Sequence, residues 1–253
     1  MLMKAADEDL AHADIGLVCA LPLEVDEFLK RCERVRSYQG GDFTFKGGRY
    51  DGIRIAVVES GAGQVRAERA TRALIEAHSP RWILSIGFAG GLLPEMRVGH
   101  MAVANCVVEA SHPPLLLDLQ MQSDPARGLF VGKFVTVNQI IRTVAEKREL
   151  ADSSGAIAVD MESHAIGRVC QELQKRFMVV RVLTDDLTED LPVEVLSVLG
   201  KTGSVRMGAV LGSLWKRPGS LQDLWKLRER AMTAGGKLAA FLDGIVVQLA
   251  KSE

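Results

Sequence analysis

Short unbroken apolar runs alternate along the chain with longer segments whose apolar residues recur every three or four positions. Buried strands alternating with amphipathic helices give that pattern, so an α/β fold is expected. The first run, IGLVCAL at 15–21, has no polar member and suits a central strand covered on both faces. Pro22 is preset for a first helical turn, and Leu23, Val25, Phe28 and Leu29 form that helix's apolar face. Runs at 43–46 and 53–59, with Gly47-Gly48 and Asp51-Gly52 between them, predict a hairpin. Ser60-Gly61-Ala62-Gly63 then leads into a helix with Val65, Ala70, Leu74 and Ile75 turned to the core. WILSI at 82–86 predicts a second central strand that runs into Gly87-Phe88-Ala89-Gly90-Gly91, and 101–108 predicts a further strand. Ser111-His112-Pro113-Pro114 breaks the pattern and opens an irregular stretch to about Gly128. Residues 129–135 then predict a strand and 137–150 a helix.

The stretch 156–186 concentrates charge within apolar surroundings. Its apolar run at 156–159 stops at Asp160-Met161-Glu162, and Ile166, Val169, Cys170 and Leu173 follow at helical spacing, so a helix begins close to Glu162. FMVVRVL at 177–183 reads as a buried strand interrupted by Arg181, and it ends at Thr184-Asp185-Asp186. A buried arginine needs an anionic partner. The carboxylates at 160–162 and 185–186 are the candidates if the two strands are neighbours, as a strand-helix-strand crossover makes them. From Val193 the chain reads as mainly helical, with a break at Arg217-Pro218-Gly219. Residues 211–230 interleave Trp215, Trp225 and leucines with lysines and arginines, which fits docking on a sheet or peripheral contact with a membrane surface.

Composition narrows the classes. With 253 residues, 47% hydrophobic and 25% charged, and with no repeat or compositional break, one domain is expected over 14–253 after a loose tail at 1–13. A net charge of −1 gives no electrostatic case for nucleic acid. Cys19, Cys32, Cys106 and Cys170 lack C-x-x-C spacing and read as reduced, buried thiols. The polar N-terminus and the absence of an apolar run of ~18 residues point to a cytoplasmic protein.

The candidate chemistry gathers in loops at strand ends: Glu24, the glycine turns at 60–63 and 87–91, Asp160-Met161-Glu162, Arg181 and Asp185. In open α/β sheets ligands bind at the carboxyl ends of strands, where Glu24 falls. Spacing alone also fits a surface glutamate favoured by a helix dipole, and glycine turns that only pack tightly. His112 reads as a loop histidine. No serine-histidine or cysteine-histidine pattern supports acyl transfer. There is no H-E-x-x-H, and the acids after Asp186 lack the glycine and terminal glutamate of a calcium loop, so no metal is expected. Two separated carboxylates flanking a substrate suit glycosidic cleavage, one as acid and one activating water.

IGLVCALPLEVDEF, SGAGQVRAERA, SIGFAGGL, AIAVDMESHAIGRVC and VVRVLTDD, in that order, resemble the nucleoside phosphorylase and nucleosidase superfamily over residues 15 to about 250. The likeness is nearest in kind to methylthioadenosine/S-adenosylhomocysteine nucleosidases. TVNQIIRTVAEKREL and SLWKRPGSLQDLWKLRERA look more like the hopanoid-associated phosphorylase branch. The resemblance implies a single-domain, three-layer phosphorylase/hydrolase-like α/β fold with a central mixed sheet flanked by helices. It implies no cofactor, and a homo-oligomer, commonly a dimer. It also implies roles. Glu24 matches the glutamate that activates water, and Arg181 the arginine that positions that water and a carboxylate. Met161 packs beneath the ribose, and ionised Glu162 holds its 2′ and 3′ hydroxyls. Asp185 protonates purine N7, with Thr184 where serine is common. Asp160, Ala62, Phe88, Ala89 and Gly90 complete the substrate-binding set.

Two departures stand out: Phe88 replaces a serine of the nucleosidases, and His100 an aspartate. The glycine-rich, arginine-bearing phosphate segment of phosphorylases is also replaced by Leu21-Pro22-Leu23-Glu24, whose carboxylate would repel phosphate. The expected activity is hydrolysis of a small-molecule nucleoside, an adenosine with a thioether-like or lipid-linked 5′ substituent. Phosphorolysis, or nucleoside binding without catalysis, is the alternative.

Overall fold

A computed structural model describes residues 12–192 and 220–252, with side chains of the last helix described from 228. Residues 1–11 of the tail expected over 1–13, and 193–219 with the Gly/Pro break and Trp215, lie outside these residues. Ala13 is inside the core and donates a backbone hydrogen bond to His78 O.

One mixed sheet organises the chain. β1 (Ile15–Cys19) lies between β4 (Ile53–Glu59) and β5 (Trp82–Gly91), parallel to both, so the first apolar run is central. Beyond β4 come β3 (Phe43–Tyr50) and β2 (Glu33–Gly40), each antiparallel to the last. On the far side β5 pairs with β10 (Arg176–Asp185) in parallel and, at its last two residues, with β9 (Ala158–Asp160) in antiparallel. β9 continues through β8 (Leu129–Thr136) to β6 (Met101–Glu109), which returns to β10. That half of the sheet therefore closes on itself. β9 and β10 are not neighbours, as the crossover rule suggested; they occupy opposite edges of β5.

Period-two alternation sends the apolar runs to both faces. In β1, Ile15, Leu17 and Cys19 face α1 (Asp26–Leu29) and α5 (Ser220–Lys251), whereas Val18 faces α2 (Gln64–His78) and α4 (Ser163–Glu172). The result is three layers, helices over a sheet over helices. The closed half holds its own core, including Ala102, Phe130, Phe134 and Leu183. The stretch Arg228–Lys251 of α5 is apolar and long enough to cross a membrane by composition, but Leu238, Leu242, Val246 and Leu249 are buried on the sheet.

Local differences have local causes. The helix expected over 137–150 is α3 (Val144–Ser154): Thr143 Oγ1 accepts from Glu146 N while Glu146 Oε2 accepts from Thr143 N, a reciprocal cap that starts the helix there. The prolines after His112 do not end the pattern; β7 (His112–Leu116) runs along β6 as an edge strand, where a missing N–H is tolerated. β2 was not expected because its residues are nearly all exposed and carry little apolar alternation. Leu23 and Val65, expected in the core, are 40% and 74% exposed.

Leu74 joins α2 to the sheet with no solvent exposure. Leu74→Ala is expected to lower unfolding free energy by about 2–5 kcal/mol. Urea denaturation checks this, through a lower midpoint at unchanged slope.

Candidate active site

The split along β5 makes a cavity. β1 pairs with it as far as Val18 opposite Ser85, and β9 takes the same edge only from Val159 opposite Gly90. Between them the edge is unshared, and a cavity of about 530 Å³ opens there. The structure brings every residue predicted for the site onto its wall except Arg181.

Glu24 closes the gap. It ends a 3-10 turn begun by Pro22 and is 6% exposed, so the surface reading of this residue is wrong. Its Oε2 accepts from Ala20 N at 2.7 Å and Leu21 N at 2.8 Å, and its Oε1 accepts from Phe88 N at 2.9 Å. A Cβ on Gly87 would lie 2.6 Å from Oε1, so glycine is what lets the carboxylate reach the strand. Burial raises the Glu24 pKa, opposed by the amides of Leu21 and Phe88 and by the Arg181 charge.

Arg181 sits behind the wall, 2% exposed. Its Nη2 lies 2.8 Å from Asp160 Oδ2 and donates to Ser85 Oγ and Ser163 Oγ, both at 2.8 Å. Thr136 Oγ1 donates to Asp160 Oδ1 at 2.8 Å, and Ser163 Oγ also donates to Oδ2. Asp160 is therefore the anion that the strand arginine required. Glu162 follows it at the start of α4, accepting from Gly63 N at 2.7 Å. Burial, and then the charge of Asp160, push the Glu162 pKa up to about 7, against Arg181 and the Gly63 amide. The resemblance implied an ionised group, which a helix N-terminus favours; desolvation beside a second carboxylate outweighs that.

Asp185 also lines the cavity, beside Gly90, and has partners on both oxygens. Lys147 Nζ lies 2.5 Å from Oδ2, and Thr184 Oγ1 donates to Oδ1 at 3.2 Å. Burial raises the Asp185 pKa, and Lys147 opposes the rise. Asp186 points away, accepting from Thr188 and from Val98 N. Leu21, Val137, Ile140, Ile141 and Leu191 make most of the remaining wall apolar, beside Phe88 and Met161. His100 is elsewhere: its ring stacks on Phe130 at 5.4 Å and its Nδ1 accepts from Arg97 N. Glu109, His112 and His164 form a further cluster, with one ligand atom each within 4.8 Å of the others. His112 already uses both ring nitrogens, one on Glu109 at 2.7 Å and one on Arg168 at 2.6 Å, so the cluster clamps β7 to α4.

The profile described as the phosphorylase superfamily matches residues 14–118 and 119–202. The chain belongs to the phosphorylase superfamily. A 5′-methylthioadenosine/S-adenosylhomocysteine nucleosidase of Shewanella loihica is 26% identical over 219 residues, 75% of this chain and 93% of the relative. Its counterpart in Shewanella sediminis is 27% identical over the same shares. Among solved structures, the nucleosidase of that name from Neisseria meningitidis, in complex with methylthio-immucillin-A, superposes with a TM-score of 0.69 at 18% identity. The match covers 92% of this chain and 98% of that one. Futalosine hydrolase of Helicobacter pylori gives 0.67 at 19% identity, covering 92% and 97%. These structures share the fold.

Within this phosphorylase-superfamily fold, two buried carboxyl groups with raised pKa values face one largely apolar cavity, and a third, Glu162, lies between the glycine turn at 63 and Met161. Such a set can hold a neutral polyol, accept a proton at one end and supply one at the other. Sequence reasoning missed Lys147. The available signal was the Thr143-x-x-Glu146 cap, which fixes the helical register that carries it.

Two stability effects follow from the buried charges. Arg181→Met strands Asp160 and is expected to cost about 3–5 kcal/mol, far more than Arg181→Met adds when Asp160→Asn is already present; a double-mutant cycle in urea measures this. The folded protein holds the Glu162 proton more tightly than the unfolded chain, whose glutamate titrates near the ordinary value of 4.5. Stability is therefore lost as pH rises from 4.5 through about 7. Glu162→Gln is expected to stabilise the protein by about 1–3 kcal/mol at pH 8 and to have little effect at pH 4. Thermal unfolding at the two pH values checks it.

Proposed function

We propose that the protein is a purine nucleosidase, hydrolysing the N-glycosidic bond of an adenosine that carries an apolar 5′ substituent. The observation that carries this reading is the placement of two buried carboxyl groups on one largely apolar cavity, Glu24 against Gly87 and Phe88 and Asp185 against Gly90. The curated relatives, named as 5′-methylthioadenosine/S-adenosylhomocysteine nucleosidases, support it.

In this reading Glu24 takes a proton from water as the water oxygen bonds C1′. Asp185 gives its proton to N7 as the C1′–N9 bond breaks and its electron pair passes to the purine. Met161 packs under the ribose and Glu162 binds its hydroxyls. Arg181 acts from behind, holding Asp160 and lending positive potential to Glu24. Hydrolysis is favoured over phosphorolysis by what Glu24 occupies. The amides of Ala20, Leu21 and Phe88 converge as an anion nest would, and the carboxylate already fills it. The apolar side of the cavity, with Ile140, Ile141 and Leu191, suits a thioether or longer hydrocarbon at the 5′ position.

A panel of 5′-substituted adenosines, assayed for free adenine with and without phosphate, tests the proposal. Adenine release independent of phosphate is expected, with Asp185→Asn and Glu24→Gln each slower by at least about 100-fold. Ribose 1-phosphate among the products would replace hydrolysis by phosphorolysis, and parental rates in Asp185→Asn would remove the assigned acid.

A further inference from the structure

α3 has one fully buried side chain, and that side chain is a lysine. Packing does not account for this, because burying an ammonium is unfavourable unless its partners repay the lost hydration. The chain goes to some length to place it. Val144 N donates to Asp190 Oδ1 at 2.8 Å, and Arg142 Nη1 donates to Leu191 O at 2.8 Å, so the start of α3 is clasped to the loop after β10. Lys147 then enters with no solvent exposure and meets two acceptors, Asp186 O at 2.9 Å and Asp185 Oδ2 at 2.5 Å.

We propose that Lys147 is a positioning residue for the leaving-base acid: it fixes the Asp185 carboxyl group by Oδ2 and stabilises the carboxylate that forms as the proton leaves for the purine. The inference rests on the nucleosidase reading above. A carboxyl group buried in an apolar wall without a cation holds its proton too tightly to donate well. An ammonium against one oxygen makes it a stronger acid, and does so most where negative charge develops. Thr184 on Oδ1 and Lys147 on Oδ2 leave the plane of the carboxyl group little freedom to rotate.

Other charges surround the pair. Asp186 is adjacent but turned to Thr188 and Val98 N, with Arg97 and His100 near it. Asp190 and Arg142 sit at the start of α3. Glu24 lines the cavity from the turn after β1, Asp160 from β9, Glu162 from the start of α4 and Arg228 from α5. Lys147 lies at hydrogen-bond distance from the Asp185 carboxyl group.

The test is the pH dependence of kcat/KM for adenine release in the parent enzyme, Lys147→Gln, Lys147→Met and Lys147→Arg. Losing the cation raises the Asp185 pKa, so in the Gln and Met variants the alkaline limb is expected to move up by about one pH unit or more while the rate near neutrality falls at least about tenfold. Lys147→Arg restores the limb toward its parental position. A slower Gln or Met variant whose limb stays in place would show a merely structural lysine and overturn the inference, as would an unchanged rate; either variant suffices if the other does not fold. Carbon-13 NMR titration of the Asp185 carboxyl group, parent against Lys147→Gln, needs no turnover and is expected to show the same upward displacement. If the parent releases no adenine from any nucleoside, the nucleosidase reading fails by itself, and the NMR comparison still decides whether Lys147 governs Asp185.

Discussion

The site depends on one unshared stretch of strand edge. β5 carries β10 along one side, while its other side is taken first by β1 and then, after a gap, by β9. A backbone N–H inside a protein must find an acceptor, and a gap in a sheet leaves one facing inward. At Phe88 the acceptor is the Glu24 side chain, which reaches it because Gly87 has no Cβ. The same gap gives the cavity its volume. A pocket, a placed carboxylate and a need for glycine thus follow from one topological fact.

Around that gap the carboxyl groups are kept in different ways, and the differences separate their chemistry. Asp160 is neutralised by Arg181 and two hydroxyls, those of Thr136 and Ser163, and holds the wall. Glu24 is held by backbone amides, which offer partial positive charge without a proton to exchange. Asp185 has a full cation beside it. Glu162 has one amide and the more distant charge of Arg181 to compensate it, while burial and the neighbouring Asp160 push its pKa up to about 7. Environments this unequal push neighbouring acids toward unequal protonation, which an acid and base working on one bond require.

How much of this was legible in the chain depends on whether the cause was local. The unbroken run at 15–21 suited a doubly covered strand, which it forms over 15–19, and Arg181 among apolar residues needed a partner inside. Both follow from residue type and spacing. The start of α3 was also local, in Thr143 and Glu146, although the apolar residues from 137 onward masked it. The burial of Glu24 was not local: nothing near residue 24 announces that an amide at residue 88 needs an acceptor. Nor was Lys147, whose partner is 38 positions away and which is the one fully buried residue of its helix. The crossover rule failed for β9 and β10 because β9 is short and pairs at the end of β5, on the edge that β1 has left.

The same distinction bears on why a site this charged persists inside an apolar shell. Each ion pair or amide clasp compensates part of the desolvation of its carboxylate, yet a raised pKa at Glu24, Glu162 and Asp185 says the compensation is incomplete. Local propensity, core packing and polar satisfaction agree over most of the fold, and they disagree here. An apolar side chain of matching volume would relieve the disagreement at any of these positions, and would remove a group able to accept or supply a proton. The structure keeps the disagreement confined. Arg181 and Asp160 satisfy each other behind the wall, α3 is clasped at its start, and the three under-compensated acids share a single cavity where a ligand's hydroxyls and ring nitrogens can complete what the protein leaves unmet.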